Sequence, residues 1–189
     1  MGRIKIMERT WNYVYYYIYL FEVKATYFFR SILNFIFSPI AKITFLKKGL
    51  EKRGSSFKHL DNIALELSNN WRYGKSINFA NIHIGGLLVF IEYGFFNILQ
   101  VALQKSLIQY VWGNALYGCF FIIGLLIISY FINSQLLWKN NKYLKYFEEF
   151  TKEPKHIRYK WAWISFVIML SILGFFILSF MIAIKVLHK

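Results

Sequence analysis

Residues 115–132 read ALYGCFFIIGLLIISYFI and form the apolar centre of a longer segment, residues 106–138, that carries no charge. A helix needs about twenty apolar residues to cross the hydrocarbon core of a bilayer. Residues 161–184 are also free of charge, and residues 84–103 are apolar apart from one carboxyl group and two amides. The sequence therefore predicts three transmembrane helices.

The composition of the chain agrees with this prediction. Of its 189 residues, 57% are hydrophobic, 21% aromatic and 17% charged, and the mean hydropathy is +0.39. Soluble domains are normally less than half apolar and about one quarter charged. We therefore expect an all-α integral membrane protein, in which the three transmembrane helices are preceded by a long amphipathic helix and a short cytoplasmic helix.

The formal charge of +14 is concentrated in the segments that flank the apolar runs. Residues 1–76 hold thirteen basic and five acidic residues, and residues 139–160 hold seven and three. Lys and Arg stay on the cytoplasmic side of membranes and contact anionic headgroups. We expect both regions on the cytoplasmic or matrix side of a bacterial or organellar inner membrane, and the turn near Lys105 and the C-terminus outside. Lipid headgroups, and no nucleic acid, are the expected partners of these charges.

The N-terminal region, residues 1–46, predicts a long amphipathic helix, because apolar residues recur in it at steps of three and four. Its expected membrane-facing side is formed by Val14, Ile18, Phe21, Phe28, Ile32 and Phe35. Glu22, Lys24 and Arg30 make lipid on all sides costly, so we expect this helix to lie in the headgroup plane. A fourth transmembrane helix is the alternative. Pro39 is expected to end or kink the helix.

Two further regions follow along the chain. A basic cytoplasmic connector, residues 47–76, contains a predicted short helix at residues 57–70, with an apolar face formed by Leu60, Ile63, Ala64 and Leu67. The transmembrane region, residues 77–189, contains the cytoplasmic loop 139–160, in which residues 142–150 predict another short helix. We expect the two short helices to contact each other or a partner protein.

Glu92 is the most informative single residue, because an ionisable group at bilayer depth costs several kcal/mol and turns toward protein or water. On a helix it belongs to a polar intramembrane side that also includes Asn81, Gly85, Asn97 and Gln100. This side favours hydrogen bonding between helices, with Asn114 or Ser171 as the expected partner of Glu92. An ion or proton site is the alternative.

Small residues in the second and third apolar runs are expected to allow close packing of helix backbones. They are Gly118, Gly124, Ser129, Ser171 and Gly174. Cys119, the single cysteine, is expected to be a packing residue, because nothing near it in the sequence would stabilise a thiolate.

The sequence offers no pattern typical of a metal site or of catalysis. His59, Asp61 and Glu66 do not share one face of a helix, and the other histidines are scattered, so we expect no metal. Gly-rich phosphate loops, G-x-S-x-G and H-E-x-x-H are absent from the sequence. We therefore expect that the protein is not an enzyme and has no cofactor.

Small size, missing catalytic patterns and two amphipathic surfaces favour a non-catalytic accessory or structural subunit of a larger membrane complex, in contact with other membrane proteins or with further copies of itself. One alternative is a homo-oligomeric channel or transporter component that uses the Glu92 side. Another is a membrane-resident immunity or binding protein.

Overall fold

The structure, a computed structural model, describes residues 2–41, 48, 52 and 54–187. Its secondary structure is helical, and no β-strand occurs in this part of the chain. The all-α prediction is thus confirmed. Residues 1, 42–47, 49–51, 53, 188 and 189, which include the end of the predicted N-terminal region and the start of the connector, lie outside the described residues.

Seven α-helices occur in the described part of the chain. They are α1 (Gly2–Ala41), α2 (Phe57–Ser68), α3 (Lys75–Ala102), α4 (Ile108–Trp112), α5 (Ala115–Asn133), α6 (Lys142–Lys152) and α7 (Lys155–Leu187). A π-helical segment, Ser134–Trp138, and a 3₁₀ turn, Lys139–Asn141, connect α5 to α6. Asn140 and Asn141 have left-handed backbone conformations, with φ of 59° and 52°, which asparagine tolerates better than most residues.

Three helical runs among the described residues are long and apolar enough to cross a membrane: α3, the run that starts with α5, and α7. Most of their side chains are not buried inside the protein, as expected for surfaces that face lipid. The prediction of three helices with this property is confirmed.

The second of these runs begins later than its charge-free sequence suggests. Residues 106–138 lack charge, yet the long helix begins at Ala115, after the separate short helix α4. The Asn114 side chain accepts a hydrogen bond from the backbone nitrogen of Leu116 at 2.8 Å and so caps the new helix. A search for charges alone does not detect this break.

Helix α1 (Gly2–Ala41) includes Ser38 and Pro39, so the proline does not end the helix, and the alternative, a kink at Pro39, stays a prediction. A proline removes one backbone hydrogen bond from a helix, while the neighbouring turns keep theirs. Helix α6, predicted at residues 142–150, ends at Lys152, because Glu153 has an extended backbone directly before Pro154.

The chain divides into two compact units. The first comprises Met1–Tyr17 and Ile82–Lys189, and the second comprises Ile18–Asn81. Helix α1 contributes to both. The three regions predicted from the sequence, with boundaries at residues 46 and 76, describe how the chain associates with a membrane. The two compact units do not test that division, so the three regions stay predictions.

Candidate functional site

Tyr13 is the centre of an aromatic cluster in the first unit. Its fully buried ring stacks between Phe150 of α6 and Trp161 of α7, with centroid distances of 3.6 and 4.0 Å and nearly parallel planes. Favourable aromatic pairs contribute about 0.5–1.5 kcal/mol beyond the burial of their surface. The start of α1 is therefore joined to both helices that flank Pro154.

Charged groups surround the hydroxyl of Tyr13. This hydroxyl donates a hydrogen bond to Oε1 of Glu153 at 2.5 Å, and Nη2 of Arg9 donates to the same oxygen at 3.0 Å. Arg9 also forms an ion pair with Glu149 at 2.8 Å. Burial, together with the bond to Glu153, raises the pKa of Tyr13, and the bond to Tyr13 raises the pKa of Arg9. At neutral pH the phenol is thus neutral and the guanidinium charged.

Two side chains of α1 bind the end of α5 and the segment that follows it. Nε1 of Trp11 donates to Oδ1 of Asn133 at 2.9 Å, and Nδ2 of Asn12 donates to the carbonyl oxygen of Leu136 at 3.1 Å. Leu136 lies in the π-helical segment, where the wider turn changes which carbonyl groups have partners within the helix. These bonds fix α1 at the end of α5.

The predicted membrane-facing side of α1 lies in two different environments. Residues 12–16 are all buried, although a helix with one side in lipid would alternate between buried and exposed positions. Val14 and Ile18 are accordingly buried in protein. The other four residues of that side are exposed: Phe21, Phe28, Ile32 and Phe35. Of the predicted membrane-facing side, only the part beyond Ile18 is therefore exposed.

In the second unit, the polar side of α1 binds α2 and the residues around it. Tyr19 donates to the carbonyl oxygen of Asn69 at 2.5 Å, and Ser76 donates to Oδ1 of the same asparagine at 2.8 Å. Arg30 forms an ion pair with Asp61, and this bond lowers the pKa of the carboxyl group. Arg30, one of the charged side chains that make lipid burial of α1 costly, is thus used for a contact with protein.

Helix α2 begins as the sequence predicts and leaves its apolar face uncovered. Ser56 caps it by accepting a hydrogen bond from the nitrogen of His59 at 3.2 Å. No residue of this helix is buried. The exposed fractions of three apolar residues are large: Leu60 45%, Ile63 41% and Leu67 53%. Ala64, on the same predicted face, is exposed too.

Glu92 lies in the first apolar helix, α3, and bonds to the second. Its Oε1 accepts a hydrogen bond from the hydroxyl of Ser129 at 2.9 Å. The expected partners are wrong, because Asn114 caps α5 and Ser171 is exposed. The second oxygen, Oε2, is buried and has no hydrogen-bond partner among the described residues.

Asn97 and Gln100, further along α3, are fully buried. Nδ2 of Asn97 donates to the hydroxyl of Ser179 on α7 at 3.2 Å. Oε1 of Gln100 accepts from the backbone nitrogens of Leu107 and Ile108 at 2.8 and 3.1 Å, and so holds the start of α4. These amides connect elements of the fold.

The remaining two members of the predicted polar side, Asn81 and Gly85, have different surroundings from Asn97 and Gln100. Asn81 belongs to the second unit, where it is half-buried and has interaction partners. Gly85 has open space where a Cβ would be. The hydrogen bonds between apolar helices therefore involve the C-terminal half of α3.

The predicted small packing residues have varied surroundings. Gly118 and Ser129 are buried, and a Cβ on Gly118 would lie 3.2 Å from the ring of Trp112. Gly124 and Gly174 face open space, and Ser171 is exposed. Of this set, only Gly118 and Ser129 are thus buried.

The closest helix contact at a glycine in these apolar helices is one that the sequence reasoning missed. A Cβ on Gly94 would lie 2.4 Å from Cε1 of Phe175 on α7. The predicted small packing residues lie in the second and third apolar runs, whereas Gly94 lies in the first. A search of all three runs would have included it, although no signal identifies Phe175 as its neighbour.

No group of three or more His, Cys, Asp or Glu side chains in the described residues could hold a metal ion. Cys119 is exposed on α5.

Fold and contacts together define an all-helical protein with three helices long and apolar enough to cross a membrane. Comparison of the chain with known protein families, curated proteins and solved structures finds no match.

Proposed function

We propose that this protein is a non-catalytic accessory subunit of a larger assembly in a bacterial or organellar inner membrane. The polar groups of the apolar helices support this role, because they are used to hold the protein together. Ser129 binds Glu92, Ser179 binds Asn97, and Gln100 caps α4. Such bonds orient helices in lipid, where no hydrophobic driving force acts between them.

The contacts of α1 support the proposed orientation. In the first unit its residues bond to Asn133 at the end of the second apolar helix, and to Leu136 and Glu153, which lie between α5 and α7. An N-terminal region bonded to this loop belongs on the same side of the bilayer as the loop. The basic charges of both regions then face the cytoplasm or matrix, and the C-terminus lies on the opposite side.

The observation that carries the proposal is the uncovered apolar face of α2, which lies outside the helices that could span the membrane. Burial of this apolar face requires contact with either lipid or another protein. Asp61 and Glu66 make α2 acidic relative to the strongly basic segments around it. Anionic headgroups attract basic segments. The more acidic α2 is therefore disfavoured as a lipid-binding helix. We therefore assign this face to another subunit of the assembly.

Changing the apolar face of α2 should release the protein from its assembly. The triple variant Leu60→Ser, Ile63→Ser and Leu67→Ser removes apolar contact area, which contributes about 25 cal/mol per Å² to association. We expect wild-type protein, extracted from its own membranes in mild detergent, to sediment with partners in fixed stoichiometry. The triple variant should sediment as a monomer in its detergent micelle.

A matched control on the same helix is Lys58→Ser with Glu66→Ser, which leaves the net charge unchanged and the apolar face intact. This control should remain in the assembly. The proposal fails if wild-type protein is a monodisperse monomer at native expression level, or if the triple variant keeps its partners.

A channel or transporter component is the second candidate, and the unpartnered Oε2 of Glu92 favours it. The variant Glu92→Gln separates the two functions, because its side-chain oxygen still accepts the Ser129 hydroxyl. For an accessory subunit we expect no ion flux from wild-type protein in liposomes, and intact assembly for the variant. Flux through the wild-type protein that disappears in the variant would instead establish the channel.

A further inference from the structure

A cleft of about 720 Å³ lies between the start of α1 and α6, within the first unit. Four cations line it: Lys5, Arg9, Lys142 and Lys145. Two carboxylates, Glu8 and Glu149, line it as well. The cleft therefore has an excess of positive charge, contributed by both helices.

The carboxylates of the cleft are already engaged. Glu8 accepts from Nζ of Lys142 at 2.7 Å and from the hydroxyl of Tyr146 at 3.2 Å. Glu149 forms an ion pair with Arg9 at 2.8 Å. These bonds cross from α1 to α6, so they hold the walls of the cleft together and neutralise its negative charge.

Lys5 and Lys145 carry the remaining positive charge. Both side chains are exposed, and no described carboxylate lies within ion-pair distance of either. Ile6, which lines the cleft, and Met7 beside it are exposed apolar residues, with exposed fractions of 67% and 57%. A ligand that fits has an anionic group for the two lysines and an apolar portion for Ile6.

We propose that this cleft binds the phosphate of an anionic phospholipid headgroup. The ammonium groups of Lys5 and Lys145 bind the phosphate oxygens from opposite walls, and the acyl end of the lipid contacts Ile6. Free phosphate has the same charged chemistry and lacks the apolar portion, so the exposed Ile6 and Met7 favour the lipid. The cleft goes beyond the accessory role, which does not require a lipid of any particular kind.

The test compares lipids bound to purified protein. Protein in mild detergent is mixed with equal amounts of phosphatidylglycerol and phosphatidylcholine, and bound lipid is counted by native mass spectrometry. We expect wild-type protein to prefer phosphatidylglycerol. Replacing Lys5→Gln and Lys145→Gln should reduce this preference by about tenfold or more, because each lysine near an anionic surface contributes about 1 kcal/mol.

Two control variants make the outcome specific to the cleft. Lys155→Gln with Lys160→Gln removes the same charge from exposed residues outside the cleft, and should keep the preference. Lys5→Arg with Lys145→Arg should keep it as well. Equal losses in both glutamine variants, or no preference in the wild-type protein, would overturn the proposal.

Inorganic phosphate distinguishes the two sources of the anion. We expect phosphate at millimolar concentration to leave the bound phosphatidylglycerol in place. Displacement of the lipid by phosphate at this concentration, with loss of phosphate binding in the Lys5→Gln, Lys145→Gln variant, would show a free-phosphate site and overturn the lipid assignment. Sedimentation of the same variant with its assembly partners tests the accessory role separately.

Discussion

Replacing Tyr13 with alanine should lower the free energy of unfolding by about 3–5 kcal/mol, which is the usual cost of removing a buried aromatic ring. The ring is fully buried, and its stacking on Phe150 and Trp161 joins α1 to α6 and α7. Without the ring, neither helix keeps its stacked contact with α1. Titration of the protein in mild detergent with sodium dodecyl sulfate, followed by near-ultraviolet circular dichroism, measures the change.

The matched control is Tyr13→Phe, which keeps both stacked rings and removes only the hydrogen bonds that the hydroxyl forms with Glu153 and Arg9. We expect the control to lose about 1.5–3 kcal/mol, the range for a hydrogen bond with a charged partner. If the Tyr13→Ala and Tyr13→Phe variants are destabilised equally, the stacked cluster does not hold α1 in place.

Replacing Gln100 with alanine should release the start of α4. The side-chain oxygen of Gln100 accepts from two backbone nitrogens, Leu107 and Ile108, and the residue is fully buried. A backbone donor left without a partner away from water costs about 1–3 kcal/mol, and Leu107 and Ile108 are half-buried. Hydrogen–deuterium exchange of the amides in residues 107–112 should therefore accelerate by tenfold or more.

Gln109→Ala is the matched control, because Gln109 is an exposed glutamine on α4 itself. Its exchange should remain close to that of the wild-type protein. Equal exchange rates at residues 107–112 in the wild-type protein and the Gln100→Ala variant would show that this cap does not hold α4.

The long helices could be predicted from the sequence because lipid imposes a simple condition on a spanning segment, namely about twenty apolar residues without charge. This condition does not predict the N-cap at Asn114 or the π-helical segment that starts at Ser134, since both lie within charge-free sequence. Such features depend on single hydrogen bonds. A hydropathy pattern averages over many residues and does not record them.

Fewer contacts of the candidate site could be predicted from the sequence. The pattern around Glu92 predicts hydrogen bonds between helices, but its partner Ser129 is 37 residues away along the chain. The stacked rings of Tyr13, Phe150 and Trp161 combine residues more than 130 positions apart. A periodic pattern identifies which side of a helix is apolar. It does not specify which other helix covers that side, as the two environments of α1 demonstrate.

Cysteine accessibility from the two sides of the membrane tests the membrane topology directly. In a Cys119→Ala background, single cysteines replace Lys52, Lys105, Lys152 and Lys189, and intact vesicles are treated with a thiol reagent that does not cross lipid. We predict that positions 52 and 152 react only from the cytoplasmic or matrix side, and positions 105 and 189 only from the other. Reaction of positions 52 and 152 from opposite sides, or of position 105 from the same side as position 152, would contradict three crossings with the basic regions together.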